Sequence, residues 1–155
     1  MSNRWVFLAA FLAATFIVAG AFHLPQWFFF ELVKSSIFIT IGVMVFSGEN
    51  QYSYMLGVVF PPVWFLVDIP AGGLFNNFQV LFAYLGGKQV GPAATPLDGF
   101  ARLAAISLCI ASVVAWRKEV EGPFWGKAFW SCLIISLAYV AGLAFWHSQL
   151  LPATN

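Results

Sequence analysis

The sequence predicts an all-α integral membrane protein of five transmembrane helices, within bounds of four to six, and three observations carry that prediction. Of 155 residues, 61% are hydrophobic and only 8% charged, with a mean hydropathy of +0.86, whereas soluble chains carry about a quarter of their residues charged. The apolar residues collect into runs near the ~20 residues with which a helix crosses a hydrocarbon core of about 30 Å. Turn-forming or charged residues separate these runs, as at 23-HLPQ-26, 47-SGENQYSY-54 and 117-RKEVEGPFW-125. The whole chain, 1–155, is read as a single transmembrane domain.

The first span covers residues 5–22. Arg4, the apolar run after it and Ala19-Gly20-Ala21 also have the layout of a secretory signal, but the segment is read as a retained helix. The second span, 27–47, follows a four-residue link, so the two form an antiparallel hairpin. The third, 54–69, runs into VVFPPVWFLVDIPAGGLFNNF, residues 58–78. Pro61 and Pro62 each remove a backbone donor and kink this helix, whereas Pro70 with Gly72-Gly73 ends it and turns the chain onto the membrane surface.

Residues 73–86 follow as an amphipathic helix. At 100° per residue, Leu74, Phe75, Phe78, Leu81, Phe82 and Leu85 fall on one side, and Asn76, Asn77, Gln79, Val80, Ala83 and Tyr84 on the other. One straight helix over 54–86 would be about 50 Å long, too long for a core of about 30 Å, so the chain must bend. The polar face carries amides where a helix lying on headgroups would carry Lys or Arg, which suits a protein surface better. Asn76, Asn77, Gln79 and Tyr84 are the candidate partner surface.

The fourth and fifth spans are 100–116 and 126–147. Arg4 precedes the first span, and Arg117, Lys118 and Lys127 surround the last connection. The positive-inside bias places both regions in the cytoplasm. Five spans satisfy that, with the N-terminus inside, the C-terminus outside and the chain in the inner (plasma) membrane; Lys88 and Arg102 on the outer side run against it.

Candidate chemistry is sparse. Asp68 is an ionisable group within a span, a functional hypothesis by default, and a broken helix beside a carboxylate is how several transporter folds build a solute site. Asp68, Pro61 and Pro62, with the Glu31–Lys34 pair spaced for one helix face, form the candidate ion or solute site. The plainer reading has Asp68 hydrated at the boundary and Lys34 snorkelling outward. His23 and His147 end the first and last helices and are the candidate metal or haem ligands; without an HxxH or ExxH repeat they are more simply interfacial.

Cys109 and Cys132, the two cysteines, fall inside spans at similar depth and are read as packing residues. Small residues at Ala9/Ala13, Ala10/Ala14, Ser107/Ala111/Ala115 and Ala138/Gly142 make ridges for close helix approach, within the subunit or between subunits. The 18 Phe and 7 Trp invite a pigment or quinone reading, with the aromatic belt and lipid-facing bulk as the default. Thiol-oxidising quinone reductases carry a CxxC pair, lipoprotein signal peptidases two aspartates in polar motifs, and small multidrug exporters a glutamate deep in the first helix. None of these patterns is present.

A net charge of +1 without a basic run removes nucleic acid as a partner. The expected function is an accessory or assembly component of a membrane complex, or a homo-oligomer, acting through helix packing and without a cofactor. The second reading is a small-solute or proton carrier using Asp68. The third is a metal- or haem-dependent redox protein using His23 and His147.

Overall fold

A computed structural model describes residues 2–23, 25–70, 72–88 and 95–150. Six α-helices account for most of it: α1 (Ser2–Ala21), α2 (Phe28–Phe46), α3 (Asn50–Asp68), α4 (Gly73–Leu85), α5 (Leu97–Glu119) and α6 (Lys127–Leu150). A 3-10 turn at Pro25–Trp27 leads into α2. The protein is an all-α membrane protein. Four helices, α1, α2 with its leading turn, α5 and α6, are each long and apolar enough to cross a membrane, and α3 with α4 make a fifth unit bent by 95°.

α5 exceeds the expected span by three residues at each end. Apolar windows stop at the first charges, but helical hydrogen bonding does not. Asp98 in the first turn and Arg117 and Lys118 in the last complement the helix dipole and extend the helix past its apolar stretch. α3 likewise starts at Asn50 and continues through Pro61 and Pro62. These prolines leave the carbonyls of Gly57 and Val58 without their i+4 donors, and the Cys109 thiol, 3.5 Å from the Val58 oxygen, supplies one of them. The chain leaves the helix further on, at Pro70 and Gly72.

The helices alternate in direction, so two ends of the bundle can be named. The Arg4 end gathers the start of α1, the α2–α3 turn, the end of α5 and the start of α6; there Tyr54 donates a 2.5 Å hydrogen bond to Glu119. The Asp68 end gathers the α1–α2 turn, the end of α3, α4, the start of α5 and the end of α6. α1 packs against α5 and α2, and α3 against α5, α6 and α2. Ala9, Ala10, Ala13 and Ala14 are buried, as are Ala101, Ala104 and Ala105 of α5, so the small-residue ridges of α1 serve packing within the subunit. Ala138 and Gly142 of α6 remain exposed.

Under the Asp68 end lies an aromatic core. Phe38 meets Phe60 at 5.4 Å and Trp64 at 5.8 Å, and Tyr139 meets Phe60 at 5.8 Å, which joins α2, α3 and α6. The Tyr139 hydroxyl donates to the Val33 carbonyl and lies 2.9 Å from the Ser36 hydroxyl. It ties α6 to α2 where few other contacts do.

Candidate functional site: a charged and aromatic cavity at the Asp68 end

The site begins with the way α3 stops. Pro70 cannot donate to the helix, and Gly72 takes φ +70°, a left-handed conformation that side chains rarely adopt. Gly73 provides space: a Cβ there would sit 2.5 Å from Asp68 Oδ1. The turn therefore folds back over the Asp68 carboxylate, and α4 leaves at 95° to α3.

α4 is held down at one point on α5. A Cβ on Gly99 would lie 2.6 Å from the Leu81 Cβ and 2.9 Å from the Asn77 carbonyl oxygen, so only glycine allows that approach. Leu81 is buried, with Leu74, Phe78 and Asn77 half-buried. Asn76, Gln79 and Tyr84 face outward, as do Phe75, Phe82 and Leu85. The amide face is thus divided: Asn77 belongs partly to the α4–α5 contact, and Asn76, Gln79 and Tyr84 are free of it.

Arg102, one turn into α5, completes the charge of Asp68. Its Nε and Nη2 donate to Asp68 Oδ2 at 2.9 and 2.5 Å, and its Nη1 donates to the Asp98 carbonyl at 3.1 Å. The Arg102 side chain is 7% exposed and that of Asp68 18%. Its guanidinium carbon lies 5.3 Å from the Trp64 ring, a cation–π contact that reduces the cost of burying the charge. Removing either member of such a pair leaves an uncompensated buried charge.

A second pair stands across from it on α2, where Glu31 and Lys34 form the expected i,i+3 bridge, with exposures of 16% and 14%. His147 of α6 closes the rim: it stacks on Trp27 at 5.1 Å with 21° between planes and lies 5.7 Å from Phe30, while Trp146 also meets Phe30 at 5.6 Å. Together these groups enclose a cavity of about 460 Å³, with Trp64 and Val67 of α3 on one side and Val140, Leu143 and Ala144 of α6 on the other. Such a volume lies within the range of small-molecule sites.

Four of the expected site residues therefore meet: Glu31, Lys34, Asp68 and His147. Pro61 and Pro62 do not line the cavity; they lie seven and six residues before Asp68, roughly 9–11 Å along the helix, and Pro61 is in the core. His23 is also outside it, exposed, with Nδ1 3.3 Å from the Ala19 carbonyl oxygen. Among the described residues no group of three or more His, Cys, Asp or Glu side chains is placed to hold a metal ion.

Sequence reasoning missed Arg102, Trp27 and Trp64. One signal for Arg102 was available: a cation on the side that the positive-inside bias leaves poor in cations requires an acid nearby, and Asp68 was the unpaired acid. Trp27 had none, because belt tryptophans and cavity tryptophans occupy the same positions in a sequence, and Trp64, inside the third span, had lipid-facing bulk as its default reading.

The two cysteines are unpaired. Cys109 approaches the Val58 carbonyl, and Cys132 approaches that of Tyr52 at 3.7 Å. Those carbonyls are six residues apart on α3, roughly 9 Å along its axis, and the thiols come from two different helices.

No protein-family profile and no solved structure matches the chain. It is similar to "Disulfide bond formation protein B 2" of Pseudomonas savastanoi pv. phaseolicola, with 26% identity over 97% of this chain and 86% of that protein.

Proposed function

We propose that this chain is an inner-membrane accessory protein that holds a small, flat, lipid-soluble molecule in the cavity at the Asp68 end. The observation that carries the reading is the composition of that cavity. Flat rings at Trp27, Phe30 and Trp64, donors on Lys34 and His147, and an apolar α6 wall suit a ring bearing oxygen acceptors, the chemistry of a quinone. Aromatic faces take the ring, and the spare ammonium and imidazole protons take its oxygens.

Similarity to a disulfide bond formation protein along nearly the whole chain suggests the setting, a membrane system of thiol–disulfide exchange. This chain would serve such a system without being its dithiol. Cycling between a dithiol and an internal disulfide needs two thiols with Cα atoms within about 7 Å, and Cys109 and Cys132 each approach a carbonyl on a separate turn of α3. The carrier reading gains less support, because both cavity carboxylates are already matched by a cation.

The orientation follows the same reasoning. Arg4, Arg117, Lys118 and Lys127 share one end, which we assign to the cytoplasm. Lys34 and Arg102 at the other end are neutralised by Glu31 and Asp68. The Arg102 charge that ran against this topology is thereby accounted for.

Titration of the purified protein with a short-chain benzoquinone tests the reading through tryptophan fluorescence. Saturable quenching is expected, weakened about fivefold by His147→Leu or Trp27→Leu, since stacking and a hydrogen bond each contribute about 1 kcal/mol. Linear, non-saturating quenching that is the same in both variants would overturn it.

A second reading has its own observation: Asn76 and Gln79 are exposed on a helix already docked through its other side, which leaves an amide surface for a partner subunit. Under this reading Asn76→Leu with Gln79→Leu removes co-purifying protein from mild-detergent extracts while leaving quinone quenching intact. Unchanged co-purification counts against it.

A further inference from the structure

A second concavity lies between α1 and α2, away from the charged cavity. It encloses about 850 Å³ and is walled by Phe7, Phe11 and Val18 of α1, by Phe22 just past its end, and by Ile39 and Val43 of α2, among others. Thr15 is the one hydroxyl on its wall, and it is committed to the Phe11 carbonyl at 2.8 Å. The floor is low at Gly42, where a Cβ would come 3.7 Å from the Phe7 ring. With the Thr15 proton used, the wall offers no free hydrogen-bond donor, and its apolar surface suits a hydrocarbon.

The face of α1 that lines this groove continues to a charge. Residues 4, 7, 11, 15, 18 and 22 recur at spacings of three and four, which puts Arg4 on the same stripe as Phe7, Phe11, Val18 and Phe22. Arg4 is exposed, one turn before Phe7. From Phe7 to Phe22 the stripe is fifteen residues long, roughly 22 Å, well over half of a hydrocarbon core of about 30 Å. An apolar trough that starts beside a guanidinium matches a chain with an anionic head and an extended tail.

We propose that the α1–α2 groove holds an acyl chain of an anionic phospholipid whose phosphate pairs with Arg4. Phe7 and Phe46 flank the chain near its head, and the rings of Phe11 and Phe22 line its further course. Arg4 carries the preference for anionic heads, because the apolar wall takes any acyl chain equally. The lipid then fills a trough that would otherwise separate α1 from α2 on the membrane-facing side.

Native mass spectrometry of the full chain, after exchange into detergent with equal amounts of dioleoyl phosphatidylglycerol and dioleoyl phosphatidylcholine, tests this. Wild-type protein should retain phosphatidylglycerol over phosphatidylcholine by about fivefold, the factor expected for one basic side chain at a lipid headgroup. Arg4→Gln should retain both equally. Val43→Trp, which fills the trough from an exposed position and leaves the core unaltered, should retain several-fold less of both, with helical circular dichroism confirming the fold.

Three outcomes would overturn the proposal. They are a preference that survives Arg4→Gln, retention unchanged in Val43→Trp, and a wild-type dimer that Val43→Trp dissociates, which would assign the groove to a second copy of the chain.

Discussion

At the scale of single residues, the buried pairings decide what each polar group can do. Asp68 was legible as unusual because a carboxylate in an apolar helix must find a partner, but its partner is 34 residues away and has no fixed spacing. Asp68→Leu or Arg102→Leu alone should lower stability by about 3–5 kcal/mol, whereas the double replacement should cost much less than the sum. A double-mutant cycle on the detergent-purified protein measures this, and additive effects would refute the coupling. Cys109 presents a quieter case, since its thiol meets a carbonyl that Pro62 leaves without a donor. Cys109→Ser should be neutral or stabilising, while Cys109→Ala should cost about 1 kcal/mol, read from the midpoint of unfolding.

At the scale of elements, α4 shows where a helical pattern succeeds and where it stops. Periodicity located the helix within a residue, and Pro70 with the Gly72-Gly73 pair announced its change of direction, because both are local backbone properties. Which residues would touch α5 was not local. Leu81 and Asn77 are inward because Gly99 lets two backbones meet there, and Phe75 and Phe82 stay out although they share the apolar side. Gly99→Ala should therefore loosen α4, speeding amide hydrogen exchange over residues 73–85, since its Cβ has no room. Gly142→Ala, where nothing lies within 4 Å, should leave exchange unchanged and stabilise α6 by up to about 1 kcal/mol through helix propensity. Equal effects of the two substitutions would show that α4 is not pinned at Gly99.

At the scale of the whole molecule, the bundle places Arg4, Arg117, Lys118 and Lys127 at one end and the Glu31–Lys34 and Asp68–Arg102 pairs at the other. With Cys109 and Cys132 replaced by serine, a single cysteine at Glu121 should react with an impermeant maleimide only after the membrane is opened. One at Asn76 should react in sealed spheroplasts. The reverse pattern would invert the topology and place the cavity in the cytoplasm. The sequence by itself determined the all-α membrane class, with four or five candidate spans, and the break after Asp68, because apolar length, helical period and proline or glycine geometry act over a few neighbouring residues. Only the tertiary structure decided that Glu31, Lys34, Asp68 and His147 share one cavity with Arg102, Trp27 and Trp64, and that His23 and the two prolines do not. That outcome depends on how α2, α3, α5 and α6 rotate against one another, and helix rotation is set by the interlocking of side chains on several helices at once, which no single segment encodes.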